Sequence, residues 1–89
     1  PEILRLRIEG HTDSRGDAAY NLQLSKDRAA AVRAYLEAKG VDAARLESEG
    51  FGESKPLDKR ENAAAWEKNR RVDFFVKQWA EQQTLPAAE

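Results

Sequence analysis

The sequence predicts an α+β domain: a β-α-β-α-β two-layer sandwich with its helices packed on one face of a small mixed sheet. Three observations carry this. Residues 3–9, ILRLRIE, alternate apolar and charged side chains, the period of a half-buried strand. Residues 24–40, LSKDRAAAVRAYLEAKG, return their apolar positions with helical period. Residues 71–79, RVDFFVKQW, alternate again, with Val72, Phe74 and Val76 on one side and Phe75 on the other. Strands and helices interleaved in this way pack as layers around one core.

In the first strand Leu4, Leu6 and Ile8 point one way, and Arg5, Arg7 and Glu9 the other. GHTDSRGD follows as a loop, its glycines serving turn geometry. In the long helix Ser25 serves as cap and Asp27 suits the positive N-terminal end. Leu24, Ala31, Val32, Tyr35 and Leu36 form its apolar stripe, and Gly40 with Val41 forms a Schellman ending. VDAARL (41–46) adds one turn capped by Asp42, and LESEGFG (46–52) a short strand. After a charged loop containing Pro56, residues 61–69 form a short helix capped by Asn62, and residues 71–79 the last strand. The domain is expected over residues 1–78, with 79–89 a loose, proline-interrupted tail.

The composition excludes several functions. With 15 Lys and Arg against 16 Asp and Glu, the 89-residue chain has a net charge of −1. It has no general attraction for nucleic acid or anionic lipid. Trp66 and Trp79 are not spaced as a base-stacking platform. There is no cysteine, hence no disulfide or thiolate metal site. No apolar run approaches the roughly 20 residues that span a bilayer, so this stretch does not itself insert in a membrane. The glycines at 10 and 16 are not followed by the Gly-Lys-Ser/Thr of a phosphate loop. His11 is the only histidine, and a metal site needs three or four ligands. His11, Asp13 and Ser14 are too close along the chain to form a nucleophile triad. His11 therefore reads as structural, and no catalytic residue, metal or cofactor is expected.

Arg28 is the most informative residue. It lies four positions after Leu24 and four before Val32, which places it in the apolar stripe of the helix. An arginine aimed at a core needs a carboxylate, and Asp13 at the end of the preceding strand is the natural candidate. Two readings stay open. Asp13 and Arg28 form a plain structural ion pair, or they stand apart as a dipolar slot. Such a slot takes an ammonium on the carboxylate and a carboxylate on the guanidinium. Asn21 shapes the loop by hydrogen bonding, and the arginines of NRR (69–71) read first as a solvated basic patch.

GHTD (10–13), Gly16, YN (20–21), LSxxRA (24–29), the glycines of GFG (50–52), Pro56 and NRRV (69–72) occur in this order over almost the whole chain. Together they resemble the OmpA-like domain family of peptidoglycan-binding modules. The resemblance implies non-catalytic, non-covalent binding of the diaminopimelate in the peptidoglycan stem peptide. This would anchor an outer-membrane or envelope protein to the cell wall from the periplasm. It implies that Asp13 takes the ammonium of that residue and Arg28 its carboxylate. Asn21 and Arg71 would support or line the pocket, with Thr12 and Leu22 flanking it. The family domain begins with a further strand and helix, so this sequence reads as an N-terminally truncated piece of a longer chain. Exchange of elements in a homodimer is one remedy. The alternative reading is a protein-interaction or dimerisation module with a purely structural Asp13–Arg28 pair and with Phe75 and Trp79 at the interface.

Overall fold

The structure, a computed structural model, describes residues 3–79. The elements run β1 (Ile3–His11), α1 (Ala18–Ala38), a 3-10 turn (Ala43–Arg45), β2 (Leu46–Gly50), α2 (Ala63–Asn69) and β3 (Arg71–Trp79). The sheet order is β2-β1-β3, with β1 parallel to β2 and antiparallel to β3. This is the expected mixed sheet. The parallel β1–β2 pair needs a crossover, and α1 supplies it. Trp79 closes β3 rather than opening a tail, and residues 80–89 lie outside the described residues.

Several ends form as local chemistry dictates. The Asp42 side chain accepts from Ala44 N at 3.0 Å, and Asn62 from Ala65 N at 2.9 Å. Gly40 takes a φ of +104°, with Gly40 N bonded to Glu37 O at 3.0 Å and Val41 N to Leu36 O at 3.1 Å. This is the expected Schellman ending.

The start of α1 differs from expectation. Asp17, not Ser25, is the cap, accepting from Tyr20 N at 3.0 Å. Ser25 instead sits mid-helix and fully buried. Its hydroxyl donates to Leu22 O at 2.7 Å and accepts from Gly52 N at 2.8 Å, tying the helix to the chain after β2. The strand also runs further than expected, since Gly10 and His11 belong to β1. Gly10 pairs with Gly50 of β2, and the two together seat the helix. A Cβ on Gly10 would lie 2.2 Å from Ser25 O, and one on Gly50 2.3 Å from Lys26 N. The α1 backbone rests directly on the sheet here. Replacing Ser25 by Ala should cost about 1–3 kcal/mol in urea unfolding, because Gly52 N is left buried without a partner.

The buried file of α1 is Asn21, Ser25 and Ala29. Leu24, Val32 and Leu36 are partly covered, whereas Ala31 and Tyr35 face solvent. The stripe is rotated from the expected one because small side chains, not large apolar ones, allow the close approach. Ile8, Ala29, Leu46 and Ala65 are the buried apolar side chains among the described residues.

Alternation gives the sheet two unlike faces. Leu6, Ile8 and Gly10 of β1 lie beside Val76, Phe74 and Val72 of β3 on the helix face. The helix packs mainly on β2 and β1, and Phe74 remains 54% exposed. The other face carries ions. Arg7 bonds Glu9 at 2.7 Å and Glu47 at 3.2 Å, and also reaches Glu49.

Candidate functional site

The site is built where β1 ends, at the β2 end of the same edge and at the junction of α2 with β3. Thr12 N donates to Gly52 O at 2.9 Å, and its hydroxyl donates to Asp13 O at 3.0 Å. Asp13 is buried although charged. Its Oδ1 accepts from Arg15 N at 2.9 Å, closing a tight Asx-type turn. Its Oδ2 accepts from Arg15 Nη2 at 2.7 Å, Arg15 Nε at 3.3 Å and Arg70 Nη1 at 3.0 Å. The Arg15 side-chain bonds, helped by the Arg15 amide and Arg70, overcome burial and hold the Asp13 carboxyl well below the ordinary carboxylate range. Asp13 is thus ionised at any neutral pH.

Asn21 braces this turn from α1. Its amide donates to Arg15 O at 2.8 Å, Asp13 O at 3.4 Å and Glu53 Oε1 at 3.3 Å. The Arg15 guanidinium lies 4.5 Å from the centre of the Trp66 ring, and Trp66 Nε1 donates to Glu61 at 3.1 Å. Asn69 pins the opposite wall, accepting from Leu57 N at 2.8 Å and Asp58 N at 3.1 Å and donating to Asp58 O at 2.8 Å. Between these walls is a polar cleft of about 230 Å³ lined by Thr12, Ser14, Glu53, Pro56, Asp58, Lys59, Glu61 and Asn69. Its lining carries three carboxylates and one lysine, and of these Asp58 is already paired with Arg60 at 2.7 Å and Lys68 at 3.9 Å. Glu53 also borders a wider trough of about 350 Å³ along Ala18, Leu22 and residues 50–54.

His11 is 1% exposed and stacks on Phe51, with ring centres 5.5 Å apart. Its Nε2 lies 3.4 Å from Glu9 and 3.6 Å from Asp73. Burial, then the Arg71 charge, lower its pKa from 6.5, against the pull of Asp73 and Glu9. A folded pKa below the unfolded one means that the unfolded state takes up the proton first. The His11 contribution to stability is therefore complete above about pH 6.5 and is lost as pH falls toward the folded value. The urea midpoint should fall between about pH 7 and pH 5 in the native chain and stay flatter in His11→Gln.

The sequence model of the OmpA family matches residues 2–70. The chain belongs to the OmpA family. The peptidoglycan-associated lipoprotein of Haemophilus influenzae is 46% identical over 68 residues, covering 76% of this chain and 44% of that protein. The Photosystem I P700 chlorophyll a apoprotein A2 of Gloeobacter violaceus is 45% identical over 78 residues, covering 81% of this chain but 9% of that protein. The crystal structure of the peptidoglycan-associated lipoprotein from Burkholderia pseudomallei superposes with a TM-score of 0.76 at 41% identity, covering 79% of this chain and 59% of that one. The chain therefore spans less than half the length of these curated relatives.

Within this OmpA-family domain, Thr12, Asp13 and Asn21 are hydrogen-bonded neighbours. Leu22 is 40% exposed on the wall of the neighbouring trough. Arg28 does not lie in a buried stripe. It is exposed and makes no ion pair with Asp13 or any other described residue. The structural-pair reading is thus corrected: Arg15 and Arg70 are the partners of Asp13. Arg71 does not touch Asp13 either. It is paired with His11 across the strands on the face away from α1. There it bonds Asp73 at 2.9 Å and Lys55 O at 3.0 Å, and so holds the loop that leads to Pro56. NRR is no solvated patch, because Asn69, Arg70 and Arg71 each hold a different part of the site.

Proposed function

We propose that this chain binds peptidoglycan non-covalently and without catalysis, gripping the diaminopimelate of the stem peptide and anchoring an envelope protein from the periplasm. Its relatives named as peptidoglycan-associated lipoproteins support the coarse part of this reading. The observation that carries the finer part is Asp13, a buried carboxylate held ionised beside an acidic cleft. An ammonium entering there meets Oδ1, which has one bonded donor and room for another. It can also displace Arg15, whose side chain is 53% exposed and already rests on Trp66.

Arg28 supplies the second charge. Asn21 and Arg28 are seven residues apart on one side of α1, about 10 Å along the axis. Helical side chains lean toward the N-terminus, so the long Arg28 side chain reaches back toward the Asn21–Asp13 end. Its guanidinium has no competing carboxylate to release and can take a ligand carboxylate in bidentate fashion.

Diaminopimelate is a lysine side chain with a carboxylate added beside its terminal ammonium, so the two wall chemistries separate the two contacts. Sedimentation with diaminopimelate-type cell wall should retain the chain better than lysine-type wall does. Arg28→Ala should erase that preference. Equal retention of native and Arg28→Ala chains, both folded by circular dichroism, would remove Arg28 from the site.

A further inference from the structure

We propose that Arg15 is a resident cation in the ammonium place of Asp13, a built-in competitor that every ligand must displace, and that it thereby refuses ligands bringing an ammonium and nothing more. The inference rests on the reading of Asp13 as the ammonium contact. All of its parts lie between residues 13 and 70, inside the stretch that the family model matches. An ionised carboxylate has about four lone-pair sites, two on each oxygen. Arg15 Nη2 at 2.7 Å, Arg15 Nε at 3.3 Å and Arg70 Nη1 at 3.0 Å crowd Oδ2, and Arg15 N at 2.9 Å takes one side of Oδ1. An ammonium has three donors of its own. It finds only the open side of Oδ1 until a guanidinium leaves.

Arg15 is the one that leaves. It makes two of the three Oδ2 bonds, and its side chain is 53% exposed against 41% for Arg70. Its place away from Asp13 is prepared. The guanidinium already lies 4.5 Å from the centre of the Trp66 ring, which Glu61 fixes through Trp66 Nε1 at 3.1 Å. A cation over an aromatic face keeps part of its stabilisation after losing its carboxylate. The turn does not depend on the side chain, because Arg15 N still bonds Oδ1 and Asn21 still holds Arg15 O at 2.8 Å. Tethered two residues from Asp13, the guanidinium competes at an effective concentration of about millimolar or above, whatever the solution contains. The cost of displacing it is the same for every ligand, since the same contact is lost each time. A ligand with only an ammonium exchanges one cation for another and gains little. A ligand with a carboxylate beside the ammonium adds the Arg28 contact and is held. Lysine side chains of other proteins are refused by the same rule.

The test removes the cation and keeps the turn. n-Butylammonium chloride is titrated into the native, Arg15→Gln and Arg15→Lys chains at constant ionic strength, and the backbone amide shifts of Asp13 and Asn21 are followed by NMR. Arg15→Gln should reach half-saturation at roughly tenfold lower butylammonium than the native chain, the worth of about one charge-assisted hydrogen bond. Arg15→Lys restores a tethered cation with a single-point contact and should fall between the two, so it carries the comparison by itself if Arg15→Gln fails to fold. In sedimentation, Arg15→Gln should be retained more strongly than the native chain on diaminopimelate-type and lysine-type wall alike. A purely structural Arg15 gives the opposite result, because a slackened turn binds every ligand worse. An equal or weaker butylammonium response in variants that circular dichroism shows to be folded would overturn the proposal. A tighter response in Arg15→Gln with no retention of any chain on either wall would keep Arg15 as the competitor and remove the peptidoglycan reading instead.

Discussion

Gly50→Ala is expected to cost at least about 3 kcal/mol, a large share of the roughly 5–15 kcal/mol that holds a small domain folded. The added methyl would sit 2.3 Å from Lys26 N, 2.6 Å from Ser25 Oγ and 2.7 Å from Lys26 Cα. Two of these neighbours are backbone, and the third is the hydroxyl that bonds Gly52 N. None can swing away, so α1 must lift from β2. That opens the Ser25 contact and displaces Asn21, which stands one helical turn earlier over Asp13. Gly40→Ala is the control. Nothing lies within 4 Å of its Cβ, and the cost there is the left-handed backbone alone, about 1–2 kcal/mol. Urea unfolding of both variants gives the comparison. Equal costs would mean that the helix does not rest on Gly50 as described.

Asp13→Asn should weaken binding to either wall type by roughly ten- to a hundred-fold, because a hydrogen bond to a charged group is worth about 1.5–3 kcal/mol. Asparagine keeps the shape and can still accept from Arg15 N. The substitution should also cost folding about 1.5–3 kcal/mol, because the amide nitrogen that replaces Oδ2 meets the Arg15 and Arg70 donors. The separation of these two effects is the informative result. Sedimentation with cell wall and urea unfolding on the same preparation supply it. A variant that binds as well as the native chain would take the ammonium contact away from Asp13. Its contribution to stability also depends on acid. Because its folded pKa is depressed, that contribution is complete above about pH 4 and lost below. The loss is thus distinct from the earlier His11 decline.

Much of this was legible in the sequence because the signals are local. Alternation in ILRLRIE and RVDFFVKQW, the Asp42 and Asn62 caps and the Gly40 ending each act within a few residues. The start and phase of α1 were not legible. The helix is laid down by a file of Asn21, Ser25 and Ala29 that hydrophobic periodicity does not register. Reading the stripe from Leu24 and Val32 turned Arg28 inward, whereas contact with Gly10 and Gly50 turns it out. The partners of Asp13 were missed for two reasons. Arg15 is so near that its bond is a property of the turn, and Arg70 is 57 positions away. The pair of glycines flanking a buried serine was the available clue to close helix–sheet approach.

The clasp between Asp13 and Arg70 has a mechanical consequence. It joins the loop just after β1 to the residue just before β3, at the same end of the sheet. Ile3 and Trp79, the far ends of those two strands, pair with each other at the opposite end. A load applied between the Asp13–Arg70 clasp and the far end of the sheet therefore runs lengthwise down both strands at once. Neither strand is dragged past the other, so the ladder between them is spared shear, and tension is shared by two covalent backbones instead of one.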